Sequence, residues 1–143
     1  MASTTFSGPI KAGTVKEGSS VNVGSVVMAQ SAVIDIIGAT NSATVATVPA
    51  NSQIIDVILN VSTVSNDGGA ATVKIGTGTD DDEFLAATNV KAVGTTRGTI
   101  GAEGTDVGSS DLSVSYTFTG ANGNGTTGAA TVTVLYIQNN NLS

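Results

Sequence analysis

Residues 53–63 read QIIDVILNVST, and this stretch decides the fold. Ile55, Val57, Leu59 and Val61 recur at a spacing of two and so share one face of an extended strand, with Asp56, Ile58 and Asn60 on the other. A helix would scatter the same residues around its circumference. Burying four such apolar side chains contributes roughly 6–12 kcal/mol of transfer free energy before the entropy of ordering is subtracted. The stretch therefore predicts a central strand.

The neighbouring segments carry the same period. Asn66, Asp67, Gly68 and Gly69 form a turn signal leading into residues 71–77, ATVKIGT, where Val73 and Ile75 alternate with Thr72 and Lys74. The two strands read as a hairpin. Upstream, residues 43–48, ATVATV, stop at Pro49, because proline cannot donate to a ladder. Residues 24–38, GSVVMAQSAVIDIIG, predict a strand with Ala32, Ile34 and Ile36 on one face and Asp35 on the other. A bend is expected at Gln30 or Ser31, and a turn at Asn41 and Ser42.

In the last third, Leu112, Val114, Tyr116 and Phe118 alternate with Ser113, Ser115 and Thr117. Residues 120–128, GANGNGTTG, tolerate positive φ, and residues 130–137 return with Val132, Val134 and Tyr136 on one face. This pair reads as an antiparallel hairpin closing the domain. Between the two legible regions, residues 84–110 are Gly-rich and predict long loops with one or two short strands.

A chain of 143 residues with 18 Gly and only 11% charged residues has little to place on the wet face of a helix. Seven or eight short strands separated by Gly, Asn and Asp turns predict an all-β fold, an antiparallel β-sandwich that is jelly-roll-like. Residues 25–143 are expected to form the sandwich. Residues 1–24, rich in Ser, Thr and Gly with apolar anchors at Phe6, Ile10, Val15 and Val21, read as an extended N-terminal arm.

Composition also removes most chemistry. With no Cys and no His, the thiol nucleophile, the thiolate metal site and the usual general base are all missing. No Lys stands in a Ser-activating motif, and the Gly-rich runs lack the Lys and hydroxyl of a phosphate loop. No enzymatic activity and no cofactor are expected. Asp80, Asp82 and Glu83, in the run DDDE, are the one candidate calcium loop, since hard cations recruit several oxygens. Their spacing departs from the EF-hand, so a solvated polar turn is the preferred reading and no metal is expected.

The formal charge is −6, and Lys11, Lys16, Lys74, Lys91 and Arg97 are scattered, so nucleic acid is not an expected partner. Met1 to Ser7 is polar and no apolar run reaches the length of a membrane span, so neither a membrane partner nor an export signal is expected.

Residues 4–13, TTFSGPIKAG, resemble the start of virion proteins of marine short-tailed bacteriophages. Residues 48–64, VPANSQIIDVILNVSTV, followed by residues 71–85, ATVKIGTGTDDDEFL, resemble a phage structural family that orders a Pro-Ala turn, a hydrophobic strand and an acidic GxGxD loop in that sequence. The ending TVTVLYIQ, residues 131–138, extends the likeness over much of the chain. The family is that of capsid decoration, or cement, proteins. The resemblance implies a β-sandwich bound to the outer surface of an expanded capsid, with the major capsid protein as partner and a homo-oligomer, a trimer above all, as its state. By position, the arm contacts to the capsid or a neighbouring subunit would fall on Phe6, Pro9 and Ile10. The competing readings are a fibre or tail receptor-binding domain, which would display more aromatics, and a pilus-like domain donating its first strand, which would alternate large apolar residues.

Overall fold

The computed structural model describes residues 11–17, 20–104 and 106–138. Strands β1 (Lys11–Glu17) and β2 (Ser20–Ser25) pair antiparallel as a separate two-stranded sheet. Eight strands follow: β3 (Met28–Asp35), β4 (Thr40–Val48), β5 (Ser52–Thr63), β6 (Ala71–Gly76), β7 (Leu85–Asn89), β8 (Gly94–Arg97), β9 (Leu112–Gly120) and β10 (Ala129–Gln138). They build two four-stranded antiparallel sheets, ordered β3-β10-β5-β8 and β4-β9-β6-β7. The first strand of this set lies beside the last and the second beside the last but one. That folded-ribbon order makes the sandwich jelly-roll-like.

Each sheet is apolar on one side, and the two apolar sides meet. Val57, Leu59 and Val61 of β5 and Val132 and Val134 of β10 join Val73 and Ile75 of β6 and Val114 and Phe118 of β9 in one buried cluster. The strict alternation along β10, from Ala130 to Tyr136, is what a strand with one dry face requires.

The structure corrects the sequence reading at five places. Ile55 is 47% exposed, whereas Ile54 is buried. Leu135 of β10 faces Asp56 and Tyr136 faces Ile54, so Ile55 is the extra residue of a β-bulge that resets the alternation. Both expected hairpins are absent: β5 and β6 lie in different sheets, as do β9 and β10. Gly, Asn and Asp serve a sheet-crossing loop as well as a tight turn, and residues 64–70 and 121–128 exceed the usual hairpin connection. The turn expected at Asn41 and Ser42 falls instead at Gly38, whose φ of 73° suits glycine, and Asn41 and Ser42 pair with β9. The bend expected at Gln30 is absent, since β3 pairs with β10 without interruption from Met28 to Asp35.

Other readings hold. The strand before Pro49 ends at Val48, and residues 84–110 contain the two short strands β7 and β8. Where an extended arm was expected over residues 1–24, Lys11–Glu17 and Ser20–Ser25 instead pair with each other, and among the described residues this ladder is hydrogen-bonded into neither sandwich sheet.

Candidate functional site

Strand directions sort the loops into two groups. One end of the sandwich gathers residues 49–51, 77–84, 98–104 and 106–111; the other gathers residues 36–39, 64–70 and 121–128.

At the first end, the acidic loop folds back on β6. Gly76 permits this, because a Cβ there would lie 2.1 Å from the Asp80 carbonyl oxygen. Thr77 holds the turn: its amide donates to the Asp80 carbonyl at 2.6 Å, its hydroxyl accepts from the Asp80 amide at 3.2 Å, and the same hydroxyl donates to Glu83 at 3.1 Å. The carboxylates of Asp80, Asp81 and Asp82 come within 4.8 Å of one another on the surface. Of the calcium candidates, the structure therefore groups Asp80 with Asp82 and leaves Glu83 on Thr77.

Lys74, on the outer side of β6, sits 3.1 Å from Asp81 and 3.5 Å from Asp82. The hydrogen bond that Lys74 donates to Asp81, opposed in part by desolvation and reinforced by the charges of Asp81 and Asp82, raises the Lys74 pKa above 10.5. An ammonium thus already neutralises part of the cluster. An open cleft of about 530 Å³ lies between this loop and Asp111. Asp111 itself accepts the Ala50 amide at 3.0 Å, capping the turn after Pro49. The cleft is bordered by Thr, Ser, Gly, Leu and carboxylates, with no aromatic platform and no cation. The arrangement is that of a braced polar turn. Replacing Gly76 by Ala should push the loop off the strand at about 1–3 kcal/mol, read as a lower melting temperature and faster proteolysis within residues 77–83.

The opposite end is tied together by Asp67, which is 1% exposed. Its carboxylate accepts the amides of Gly69 (2.8 Å), Asn122 (3.2 Å) and Asn124 (3.1 Å). Asn66 accepts the amides of Thr126 and Thr127, and the Asn124 side-chain oxygen accepts the Gly68 amide at 2.8 Å. Burial alone would raise the Asp67 pKa, but backbone bonds from Gly69, Asn122, Asn124 and Gly125 outweigh it and hold the carboxyl below 3.8. Lys91 donates to the carbonyls of Asp67 and Gly69 from the other side. The sequence signals a turn here but not a buried anion; two separate Asn/Gly-rich segments, one of which contains a single Asp, are the available clue.

The outer faces of both sheets carry few charges. Cross-strand rows read Val33, Thr131, Asn60 and Thr95 on one sheet, and Ser42, Thr117 and Lys74 on the other. Asp56 lies on the first of these faces, as expected, and is covered by Arg97, whose guanidinium donates to it. Lys74, Lys91 and Arg97, the cations whose side chains are described, are all engaged locally. The expected contact residues Phe6, Pro9 and Ile10 lie outside the described residues.

No protein-family model matches the sequence, and no curated protein matches it. Solved structures do match its fold. A chain in the acidic stable capsid structure of Helicobacter pylori bacteriophage KHP30 superposes with a TM-score of 0.62 at 18% identity, covering 79% of this chain and 88% of that one. A chain of the cyanophage Pam1 capsid asymmetric unit gives 0.58 at 17% identity, covering 96% and 91%. A chain of the Ralstonia phage GP4 capsid gives 0.55 at 20% identity, covering 79% and 84%. At such identities the likeness is one of fold.

Proposed function

We propose that this protein is a viral structural protein that decorates a bacteriophage capsid, binding the outer surface of the shell and fastening neighbouring capsomers. The observation that carries the reading is the fold likeness to chains of three phage capsids, with most of each chain covered in both directions. Mutual coverage of that kind means those chains are similar in length to this one, rather than large subunits in which such a sandwich is a small part. The size fits an accessory subunit of a shell.

The site chemistry supports the same reading. The carboxylates of the acidic loop and of Asp67 are bound to backbone, hydroxyl or ammonium partners that brace loops. Adhesion needs area and many copies rather than a reactive centre, and repetition over a shell multiplies a modest gain per contact. A net charge of −6 limits attachment to DNA. In this reading the partner is the major capsid protein, the oligomer is a trimer, and Phe6, Pro9 and Ile10 contact the capsid or a neighbouring subunit.

Purified protein is expected to bind emptied, expanded capsids of its phage and to raise their rupture temperature. Removing residues 2–12 should weaken that binding while the sandwich stays folded. Capsids that rupture at the same temperature with and without saturating protein would defeat the proposal.

A further inference from the structure

A β-sandwich has four edge strands, and here they are unequally protected. Exposed edges invite pairing with other chains, and proteins blunt them with short strands, bulges, charge or side-chain cover. β8 has four residues and ends in Arg97; β7 has five and an irregular register against β6. β4 is interrupted between Thr44 and Ala46, and at Thr47 it is covered by Gln30. The Gln30 amide donates to the Thr47 carbonyl at 2.7 Å and accepts the Thr47 amide at 3.0 Å, standing in for the peptide of an added strand.

β3 has none of these devices. It runs eight residues in unbroken register with β10, without Pro, Lys or Arg, and its one charge is Asp35 at the end. Val33 on it is 76% exposed, more than any other large apolar residue among the described residues. Asn41 covers only the Asp35 carbonyl. Among the described residues, β3 has a strand neighbour on one side alone.

The β1–β2 ladder is unsatisfied in the same sense. A lone two-stranded hairpin is marginal in water, and a third strand is what stabilises it. Its own β3 is not available to it through a tight turn. The link between Ser25 and Met28 is Val26–Val27, whereas a two-residue hairpin turn needs positive φ, which β-branched residues resist. Among the described residues, the only non-glycine with positive φ is Asn51. Charge points the same way: residues 1–25 carry two Lys and one Glu, whereas residues 26–143 carry three cations against ten carboxylates.

We propose that the β1–β2 hairpin of one copy adds to the free edge of β3 in a second copy, extending that sheet by two strands. The basic hairpin then meets the acidic body of a neighbour. Because the giving and receiving surfaces differ, the contact is head-to-tail, and a closed ring satisfies every hairpin and every β3 edge. The inference concerns contacts between copies of this chain alone and does not depend on the capsid reading.

The test is the mass in solution, by sedimentation and light scattering without capsids, of the full chain and two variants. The double variant Val26→Asn, Val27→Gly supplies a turn that lets β2 close on its own β3. Val33→Lys places a charge on the edge at an exposed position where the fold tolerates it. The full chain should form a discrete oligomer, and both variants should lose it while keeping the far-ultraviolet circular dichroism of the parent. Three results would overturn the proposal: a monomeric full chain at its highest soluble concentration, an oligomer that survives both variants, or protection from hydrogen exchange, in a monomer, of those β3 amides that point away from β10. The last would mean that residues of the same chain occupy the edge.

Discussion

Replacing Asp67 by Ala should lower the melting temperature by on the order of 10 °C, since a buried network of this kind belongs to the short list of strongly destabilising losses. The carboxylate closes two sheet-crossing loops at once, residues 64–70 and 121–128, by accepting amides from both. Those loops replace what hairpin turns do elsewhere, because they set where β6 and β10 begin. Without the carboxylate, the amides of Asn122 and Asn124 lose their acceptor in a part-buried place. Asp67→Asn keeps the volume and one carbonyl oxygen but loses the charge, so it should fall between parent and Ala variant. Hydrogen exchange should localise the damage: amides at residues 121–125 lose protection before those at the centre of β9. An Asp67→Ala variant melting within 2 °C or so of the parent would mean that the loops hold without this node.

The same group makes stability depend on pH in a stated direction. Asp67 ionises more readily folded than unfolded, so the folded state binds the proton less well. Its contribution is complete above the ordinary value of 3.8 and is lost as pH falls below that through the lower folded value. Between pH 5 and pH 7 the gap in melting temperature between parent and Asp67→Asn should therefore stay constant, and it should narrow only below about pH 4. A gap that narrows near neutrality would assign the effect to another group.

What the sequence made legible follows from what period two can encode. It marks which residues alternate, so the inward faces of β3, β6, β9 and β10 were readable from Ile34, Val73, Phe118 and Val132. It does not encode partners. Asn66 to Gly69 and Gly120 to Gly128 look like hairpin turns because positive φ and small side chains are what any reversal needs, yet each carries the chain across to the other sheet. A bulge is equally silent: Ile55 sits in a run of apolar residues where either neighbour could take the inward place. Gln30 and Ser31, polar within an apolar run, suggest a bend, whereas the Gln30 amide reaches the Thr47 backbone as a substitute strand. The acidic loop was legible as a polar turn, but its bracing by Lys74 from the preceding strand was not. That contact depends on the fold-back permitted at Gly76.

The second large effect belongs to the core. Phe118→Ala should destabilise the protein by about 3–5 kcal/mol, the range for removing a buried aromatic ring. Phe118 is fully buried on β9, an interior strand, between Asn41 of β4 and Val73 of β6 in the cross-strand row, so its ring projects toward the facing sheet. The sandwich has few large side chains to close over the gap: the sequence holds three Phe and no Trp, and the core around the ring is mostly Val, Ile and Ala. Branched residues on paired strands are stiff at χ1, so the cavity collapses poorly and the cost lies high in its range. A domain of this kind holds only about 5–15 kcal/mol in total, so one ring accounts for a large share of it. Val93→Ala, 67% exposed in the loop before β8, serves as the control and should change stability by less than about 0.5 kcal/mol. Urea unfolding measures both with the same slope. A Phe118→Ala loss below about 1 kcal/mol would mean that the two sheets do not close over this ring as the burial pattern says.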